Sequence, residues 1–372
     1  MNVLSLFDGI SVGQLALKEL NIKVDNYFAS EIDKYATAVT SYNFPNTIHI
    51  GDVRDVDISK LPKIDLLIGG SPCQSFSFSG KRNGMTTKTN EEVTTLERYL
   101  ELKKENFEFE GYSYLFWEYI RILRDIQKYN NPNVKFLLEN VKMSNKWKTV
   151  LDKTIGVNRY FINSSLVSAQ NRPRLYWCNW QLILPEDRNI KLKDILEDTP
   201  LKENPPSYFY GDRCGVSRIE GGEFNWLNQE KAKYLTTRSS HGNKYIIDKS
   251  IKPSVAKNIV EQHINIEKSN KDFFVMECKS GYQDNKIGLT KTPTLRANNN
   301  STYIKQGIVY RKITPIEAER LQTLPDNYTK FGIFDGEIKE ISKTQRYKML
   351  GNGWTLEVIK HIFKDELNKG DK

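Results

Sequence analysis

A cysteine in a proline-stiffened turn is the residue best placed in this sequence to act as a nucleophile. Cys73 follows Pro72 within the run GGSPCQ, directly after a short apolar stretch that is typical of a buried strand. A lone cysteine is usually a small buried hydrophobe, but core packing does not require one in such a turn. Free backbone amides or a following helix start would lower the pKa of a thiol there and raise its thiolate fraction.

A carboxylate and an arginine pair are candidate partners for this thiol. Glu139 ends another apolar run, and the partial burial that this predicts favours proton sharing with the edge of a bound base. Arg172 and Arg174 lie two positions apart beside Gln170, so both would share one face of an extended segment. Such a pair can hold a phosphate or a carbonyl oxygen, although arginine pairs lie more often on the surface.

Glycine and acidic residues end three further apolar runs and suit a nucleoside ligand. Gly9 allows a sharp turn close to a ligand, and Glu31 stands where open α/β sheets bind ribose hydroxyls. Asp52 follows the third run, although each acid taken alone is commonly an ordinary loop residue. The sequence contains neither of the phosphate-binding motifs G-x-G-x-x-G and G-K-[ST]. The pattern therefore favours a nucleoside without bound phosphates, such as S-adenosyl-L-methionine.

Short apolar runs alternate with stretches of helical spacing, and these elements must position the candidate residues. The runs are Val3–Phe7, Val24–Ala29, Thr47–Ile50, Ile64–Ile68 and Val134–Leu138. Runs of this kind, separated by helices, predict an α/β fold with a mostly parallel sheet covered on both faces. Because the carboxyl ends of parallel strands lie along one edge of such a sheet, we expect the candidate residues to converge on one cleft.

The chain changes character after residue 185 and again near residue 311. Further runs between residues 160 and 183 would extend the first sheet, whereas the stretch that follows has few periodic runs. Thr314 followed by Pro315 is typical of a helix N-terminus, and residues 346–363 predict a turn and a helix. We therefore predict a catalytic and cofactor-binding domain over residues 1–183, a smaller irregular domain over 184–310, and a return to the catalytic domain over 311–372.

The positive charge is concentrated in the middle stretch. The chain has 55 Lys and Arg residues against 46 Asp and Glu, a net charge of +9. Residues 230–312 contain 16 basic and seven acidic residues and therefore account for the whole excess. Such a window can neutralise nucleic-acid phosphates or form a solvated lysine-rich surface, and charge alone leaves both interpretations open.

Composition and spacing exclude several classes of protein. With 38% hydrophobic residues, the chain is neither collagen-like, mucin-like nor wholly disordered. No apolar run approaches the roughly 20 residues that cross a bilayer, and the N-terminus lacks the basic region of a signal peptide. The four cysteines form no C-x-x-C pair and no zinc-like cluster, so we expect a reduced, cytoplasmic protein without a metal or a membrane partner.

The motifs, taken in order, resemble those of the cytosine-carbon-5 DNA methyltransferases from Val3 to about Phe363. They read LFDGISVGQLAL, SEIDKYA, GDVRDV, GGSPCQSFSFSGKR, LLENV, AQNRPRLYW, ITPIEAERLQTLPDNY and GNGWTLEVI. Each motif alone is a poor identifier, but PCQ, ENV, Q-x-R-x-R, RLQ-x-x-PD and GN in this order form a specific set. Residues 184–310 fall where the family has its target-recognition domain.

The resemblance implies a Rossmann-like methyltransferase fold and methylation of carbon 5 of a cytosine in a short duplex DNA sequence. Cys73 would add to carbon 6 of a flipped cytosine, and Glu139 would hydrogen-bond its ring nitrogen and exocyclic amine. Arg174 would contact the target nucleotide, with Arg172 and Gln170 supporting that segment. The base must leave the duplex because a thiol cannot reach carbon 6 within the stack.

The same resemblance implies a pocket for S-adenosyl-L-methionine as the methyl donor. Phe7 would pack on the adenine, Glu31 would hold the ribose, and Asn140 would buttress the turn of Cys73. The implied pocket residues are Phe7, Gly9, Ile10, Glu31, Ile32, Asp52, Val53, Pro72, Leu115 and Asn352. No metal is needed, because the donor itself supplies the reactive group.

Three features depart from the family pattern. Ser11 stands at the second glycine of the first motif, and Gly353-Trp354 replaces the usual Ser-Val of the last motif. Cys73 and Glu139 are also separated by a long charged segment, Lys81–Glu110. It can be a longer lid, an arm that contacts DNA or a tolerated insertion, and the sequence alone does not choose among these.

The resemblance also sets expectations about partners. We expect a monomer that binds double-stranded DNA in a bacterial or phage-infected cell, associated with the nucleoid, with a cognate restriction endonuclease as a possible partner. One alternative is a transfer-RNA cytosine-5 methyltransferase of the same family, against which Gln74 and the large basic segment argue. The other is an inactive DNA-binding scaffold, against which the intact Cys73, Glu139, Arg172 and Arg174 argue.

Overall fold

The predicted strands of the N-terminal half are present and form one sheet. The computed structural model describes residues 1–72, 85–198, 274–277, 286–288, 292–293, 302–306 and 309–367. The strands of this half are β1 (Asn2–Leu6), β2 (Asn26–Ser30), β3 (Ile48–His49), β4 (Leu66–Gly70), β5 (Lys135–Val141), β6 (Arg159–Asn163), β7 (Gln170–Asn171) and β8 (Pro173–Cys178). The central sheet has seven of them, in the order β3-β2-β1-β4-β5-β8-β6.

The direction of the strands confirms a mostly parallel sheet. The five strands from β3 to β5 are parallel to their neighbours, so their carboxyl ends share one edge. Strand β8 runs antiparallel between β5 and β6. Sequence analysis did not predict this reversal, because the apolar run of a buried strand is the same in either direction.

Helices cover both faces of the sheet. They are α1 (Val12–Glu19), α2 (Lys34–Asn43), α3 (Leu96–Lys104), α4 (Phe116–Asp125), α5 (Asn145–Ile155), α6 (Pro315–Leu321), α7 (Lys343–Asn352) and α8 (Leu356–Leu367). Alternate side chains of β1 enter different cores: Val3 packs in one with α1 and α8, and Leu4 packs in the other with α4 and α5. None of the helices in the described ranges is long and apolar enough to span a membrane.

The C-terminal segment returns to this sheet through α6, α7 and α8. As predicted, α6 starts at a capped N-terminus: the Thr314 hydroxyl accepts from the Glu317 amide, and the Glu317 carboxylate accepts from the Thr314 amide. The predicted turn and helix over 346–363 are instead two helices, α7 and α8, since the backbone becomes extended at Gly353.

The remaining strands lie outside the central sheet. Strands β9 (Phe274–Glu277), β10 (Lys286–Gly288), β12 (Thr302–Gln306) and β13 (Val309–Lys312) form an antiparallel sheet, β11 (Thr292–Pro293) pairs with β7, and β14 (Phe331–Phe334) pairs with β15 (Glu337–Glu340). Leu192 and Ile195, which follow the predicted boundary at residue 183, are buried in the core that contains α1 and α8. The division into domains stays a prediction.

The described part of the charged segment between Cys73 and Glu139 is folded against α4. Met85 and Val93 are buried in the core on that side of the sheet. Helix α3 is joined to α4 by the buried carboxylate of Glu118, which binds the Tyr99 hydroxyl, the Lys103 amine at 2.5 Å and the Arg121 guanidinium at 2.7 Å. Residues 85–110 therefore belong to the packed body of the protein, and residues 81–84 lie outside the described ranges.

Candidate active site

A cavity of about 350 Å³ lies at the carboxyl ends of the parallel strands. Its walls come from the loops that follow β1, β2, β3 and β4, from the end of β5, and from the C-terminal end of α7. All ten residues predicted for the cofactor pocket line this cavity: Phe7, Gly9, Ile10, Glu31, Ile32, Asp52, Val53, Pro72, Leu115 and Asn352. Glu139, Arg172 and Arg174 line it as well. These thirteen candidate residues therefore surround one cleft, and their roles stay predictions.

Cys73, the predicted nucleophile, lies outside the described residues. The chain before it is described: Ser71 and Pro72 both line the cavity. Asn140, predicted to buttress this turn, donates from its buried amide to the Ser71 hydroxyl at 3.0 Å and to the Ser71 carbonyl at 3.3 Å. Pro72, the residue that precedes Cys73 in the sequence, is therefore part of the cavity wall.

The loop after β1 adopts a left-handed backbone at three positions. Phe7, Gly9 and Ser11 have φ values of 57°, 59° and 55°. A non-glycine residue in this region costs roughly 1 kcal/mol or more. Ser11, which replaces the family's second glycine, is buried; its hydroxyl donates to the Asp8 carboxylate and accepts from the Thr40 hydroxyl at 3.2 Å. These hydrogen bonds offset the strain that glycine would avoid.

Asp8, in the same loop, has a carboxyl group with a raised pKa. Burial raises the pKa of its carboxyl group to about 6, and hydrogen bonds from Ser11 and Tyr27 oppose part of that shift. The Tyr27 hydroxyl donates to Asp8 at 2.8 Å. The negative charge of Glu31 raises the Asp8 pKa further.

The shift of Asp8 predicts how stability depends on pH. The ordinary pKa of 3.8 applies to the unfolded chain, so the folded protein binds more protons between about pH 4 and pH 6 and loses stability as the pH rises through that range. We expect Asp8→Asn to remove this loss, so that the variant gains roughly 1–2 kcal/mol relative to wild type between pH 4.5 and pH 7.5. Urea denaturation at both pH values measures the difference.

A carboxylate with the opposite shift provides the control for this prediction. The Arg320 guanidinium lowers the pKa of Asp326 by hydrogen bonding to it. Because the unfolded pKa of 3.8 and the lower folded pKa both lie below the measured range, the stability difference between Asp326→Asn and wild type should be nearly the same at pH 4.5 and pH 7.5. A stability difference for Asp8→Asn that is the same at both pH values would contradict the assigned titration.

Glu31 is held at the cavity by three backbone amides. One carboxylate oxygen accepts from the Gly9 amide at 2.8 Å, and the other accepts from the Ile32 and Asp33 amides at 2.9 and 2.8 Å. This arrangement ties the loop after β1 to the loop after β2. It also fixes the orientation of the carboxylate, which can accept further hydrogen bonds from ligand hydroxyls because each oxygen has two lone pairs.

Asp52 carries a partner that sequence analysis missed. The Arg54 guanidinium donates to both Asp52 oxygens, with a closest distance of 2.6 Å, and lowers the pKa of that carboxyl group. Arg54 itself lines the cavity. Its position two residues after the acid in GDVR is the sequence signal that would have indicated the pair.

The outer wall of the cavity is aromatic. Tyr112 and Tyr114 line it beside Leu115, although sequence analysis named only Leu115. Tyr114 stacks on Phe109 with ring centroids 4.3 Å apart, so the charged segment supports this wall. Phe7, Ile32 and Val53 supply further apolar lining.

Two side-chain donors hold Glu139 in the cavity. Its two oxygens bind different donors: the Arg174 guanidinium at 2.9 Å and the Trp354 indole nitrogen at 3.1 Å. Glu139 is 9% exposed, and the side chain of Arg174 is 12% exposed. The alternative of a surface arginine pair is thereby wrong for Arg174.

Arg172 is also buried, and two backbone carbonyls are among its partners. Its guanidinium donates to the Gly351 carbonyl at 3.1 Å and to the Gly353 carbonyl at 2.8 Å. Arg172 therefore holds the turn between α7 and α8 against the cavity. Gln170 is fully buried beside Arg172 on the chain and does not line the cavity. Within the described ranges, no group of three His, Cys, Asp or Glu residues is arranged to hold a metal ion.

Comparisons with known proteins agree on one family. The family model described as "C-5 cytosine-specific DNA methylase" matches residues 1–368. The orphan methyltransferase M.SPRI of Bacillus phage SPR is 24% identical over 98% of this chain and 97% of its own length. The type II methyltransferase M1.ScrFI of Lactococcus lactis subsp. cremoris is 28% identical over 100% of this chain and 79% of its own length.

A solved structure supports the fold. The Entamoeba histolytica methyltransferase EhMeth matches with a TM-score of 0.53 and 16% identity, over 98% of each chain. This agrees with the mostly parallel central sheet and confirms the predicted Rossmann-like methyltransferase fold. By the match of its whole length, the chain belongs to the C-5 cytosine-specific DNA methylase family.

Proposed function

We propose that this enzyme transfers a methyl group from S-adenosyl-L-methionine to carbon 5 of a cytosine flipped out of duplex DNA. The observation that carries the proposal is the shared cavity: ten residues suited to the cofactor and the Glu139–Arg174 pair line one space. Cys73, the candidate nucleophile, follows Pro72 in the sequence, and Pro72 lines the same cavity. A donor pocket and a base pocket that meet in this way suit direct transfer between two bound molecules.

The lining of the cavity fits S-adenosyl-L-methionine. Phe7, Ile32 and Val53 provide apolar surfaces for an adenine ring, and Glu31 provides a fixed acceptor for ribose hydroxyls. Glu31, which is bound by backbone amides, gives the cavity an acidic group that suits a cationic ligand, whereas Asp52 and Glu139 are already paired with Arg54 and Arg174. When bound, this cofactor supplies an electrophilic methyl group on a sulfonium centre.

In the proposed reaction, the protein's own residues make carbon 5 of cytosine nucleophilic and then restore the aromatic ring. The Cys73 thiolate bonds to carbon 6, and the electron pair of the 5,6 double bond makes carbon 5 nucleophilic. Glu139 hydrogen-bonds the ring nitrogen and amine, and Arg174 keeps that carboxylate in place. After methylation, a base removes the carbon-5 proton, the double bond re-forms, and Cys73 leaves as a thiolate.

Duplex DNA is the proposed substrate, and residues 230–312 are the proposed phosphate-binding part of a target-recognition domain over 184–310. The family is defined by DNA methylation, and the +9 charge of the chain lies in this window. We further propose that the enzyme acts as a monomer in the cytoplasm. One relative is named a type II methyltransferase and another an orphan methyltransferase, so a partner restriction endonuclease and a solitary enzyme both fit the family.

Transfer of labelled methyl groups tests the proposal. The purified chain is incubated with methyl-labelled S-adenosyl-L-methionine and either mixed-sequence duplex DNA or transfer RNA. We expect label in DNA as 5-methylcytosine and none in transfer RNA. Label in transfer RNA alone would support the RNA methyltransferase, and DNA binding without any methylation would support the inactive scaffold.

The excess of basic residues between positions 230 and 312 predicts that DNA affinity depends steeply on salt concentration. Each neutralised phosphate contributes about 0.9 to the slope of log affinity against log salt, so about five contacts lower affinity by roughly 10²–10³ between 50 and 200 mM salt. Fluorescence anisotropy with a labelled duplex measures the slope. A flat dependence would contradict phosphate binding.

Matched lysine substitutions test whether these residues cause the salt dependence of DNA affinity. Four Lys→Gln changes within the window should reduce the slope, whereas four at exposed lysines elsewhere should leave it unchanged. Equal slopes for both quadruple variants would show that the four substituted lysines of the window do not bind phosphates. The first set is Lys231, Lys233, Lys244 and Lys249, and the second is Lys23, Lys60, Lys63 and Lys128.

A further inference from the structure

Trp354 contacts the candidate catalytic carboxylate from a position where the family usually has valine. Its indole nitrogen donates to one Glu139 oxygen at 3.1 Å, while Arg174 occupies the other oxygen at 2.9 Å. The indole is therefore one of two donors that determine the plane of this carboxylate. Valine at the same position could not supply this hydrogen bond.

Two glycines leave the space that the indole fills. A Cβ atom on Gly70, at the end of β4, would lie 2.9 Å from the Trp354 indole nitrogen and 3.1 Å from a Glu139 oxygen. A Cβ atom on Gly13, in α1, would lie 3.5 Å from the far edge of the same ring. The indole thus lies between the start of α1, the end of β4 and the carboxylate on β5.

The turn that carries Trp354 is itself fixed from two sides. Arg172 donates to the carbonyls of Gly351 and Gly353 on one side. On the other, the fully buried Gln322 donates to the Leu350 carbonyl at 2.6 Å and accepts from the Thr355 hydroxyl at 2.9 Å. Gln322 belongs to the RLQ motif and Arg172 to the Q-x-R-x-R motif, so two motifs hold one turn.

We propose that Trp354 is a positioning residue that holds Glu139 for the flipped cytosine, and that Arg172 acts through it. Both arginines then help to orient the Glu139 carboxylate. Arg174 binds one oxygen directly, and Arg172 holds the turn that carries Trp354, whose indole binds the other oxygen. With one donor on each oxygen, rotation of the carboxylate would break a hydrogen bond, so its remaining lone pairs keep a preferred direction. This inference rests on the proposed function of Glu139.

An isosteric replacement isolates the indole N–H. Trp354 is replaced by β-(3-benzothienyl)alanine, in which sulfur takes the place of the N–H group while the bicyclic shape is kept. The measurements are the single-turnover rate of methyl transfer to duplex DNA and the Kd of S-adenosyl-L-methionine. Trp177 provides the matched control, because its indole nitrogen donates to the Asp152 carboxylate at 2.8 Å outside the cavity.

We expect the replacement at Trp354 to slow methyl transfer at least tenfold while the cofactor Kd changes less than twofold. The same replacement at Trp177 should leave both within twofold. In an enzyme that already carries Glu139→Gln, replacement of Trp354 should cost much less, because the two residues act as one unit.

Three results would overturn the inference. The first is a rate of methyl transfer within twofold of wild type after the replacement at Trp354. The second is an equal fall in this rate and in cofactor affinity. The third is an undiminished loss of rate when the replacement is made in the Glu139→Gln enzyme. The proposed function fails separately, through a wild-type enzyme that does not methylate DNA. Trp354→Phe also loses the N–H, and it should likewise lower the rate of methyl transfer by a larger factor than the affinity for S-adenosyl-L-methionine.

Discussion

Replacement of Cys73 with alanine is expected to abolish methyl transfer while cofactor binding remains. Without the thiolate no bond forms at carbon 6, and carbon 5 of cytosine is too weak a nucleophile to accept a methyl group. The donor pocket should survive, because the described residues that line it are held by hydrogen bonds independent of that side chain. Activity is measured as label transferred to duplex DNA, and cofactor binding by calorimetry.

A second cysteine provides the control. Cys178 lies in β8, where burial raises the pKa of its thiol to about 11 and its Sγ donates to the Trp180 carbonyl. This thiol stays protonated at neutral pH and is not a nucleophile. Cys178→Ala should therefore keep most of the activity per folded molecule, and Cys73→Ala should keep none.

Trapping on a fluorinated substrate tests the same thiol by a different readout. Duplex DNA that carries 5-fluorocytosine offers no carbon-5 proton to remove, so the enzyme should remain covalently attached after methyl transfer. A denaturation-resistant complex is expected for wild type and for Cys178→Ala, and none for Cys73→Ala. Measurable turnover or trapping by Cys73→Ala would remove this residue from its role.

The sequence predicted the arrangement of the cavity because parallel strands impose it. Gly9, Glu31 and Asp52 follow three different apolar runs, and an open parallel sheet brings the ends of its strands to one edge. All three line the cavity. The same rule extends to Pro72, which follows β4, and to Glu139, which lies near the carboxyl end of β5, because the apolar run before each residue predicted a strand.

Contacts that depend on backbone conformation or on distant segments could not be predicted in this way. The left-handed φ of Ser11 is stabilised by Asp8 and Thr40, and no local pattern indicates that a serine adopts it. The contact between Trp354 and Glu139 joins residues 215 positions apart. It depends on how the turn between α7 and α8 packs, and the sequence marked this turn only as a departure from the family pattern.

The same limit applies to the partners of the two arginines. Their spacing in the sequence predicted one shared face, and both line the cavity, but they bind different groups: Arg174 binds Glu139, and Arg172 binds the carbonyls of Gly351 and Gly353. The difference arises because β8 runs antiparallel beside β5, which places Arg174 opposite Val141 near the end of the β5 strand. Neither the strand direction nor the position of the last helices is encoded in a two-residue spacing.

Replacement of Glu139 with glutamine is expected to lower the rate of methyl transfer by about 10²–10⁴, the usual contribution of a positioned acid or base. Glutamine keeps the size of the side chain and can still accept from Trp354 or Arg174, but it cannot share a proton with the ring nitrogen. The loss should fall on the single-turnover rate, with the Kd of S-adenosyl-L-methionine within about threefold of wild type. Trapping on 5-fluorocytosine DNA should slow by a similar factor, because Cys73 then adds to a ring without its proton-sharing partner.

Another buried carboxylate–arginine pair shows whether such a loss is specific. Glu319 and Arg346 are buried and 2.8 Å apart, and neither lines the cavity. Glu319→Gln removes one charge from this pair and should reduce stability, whereas its rate per folded molecule should stay within a few-fold of wild type. A Glu139→Gln enzyme that retains more than a tenth of the wild-type rate, or that loses no more rate than Glu319→Gln, would mean that Glu139 stabilises the fold and that another group assists the attack of Cys73.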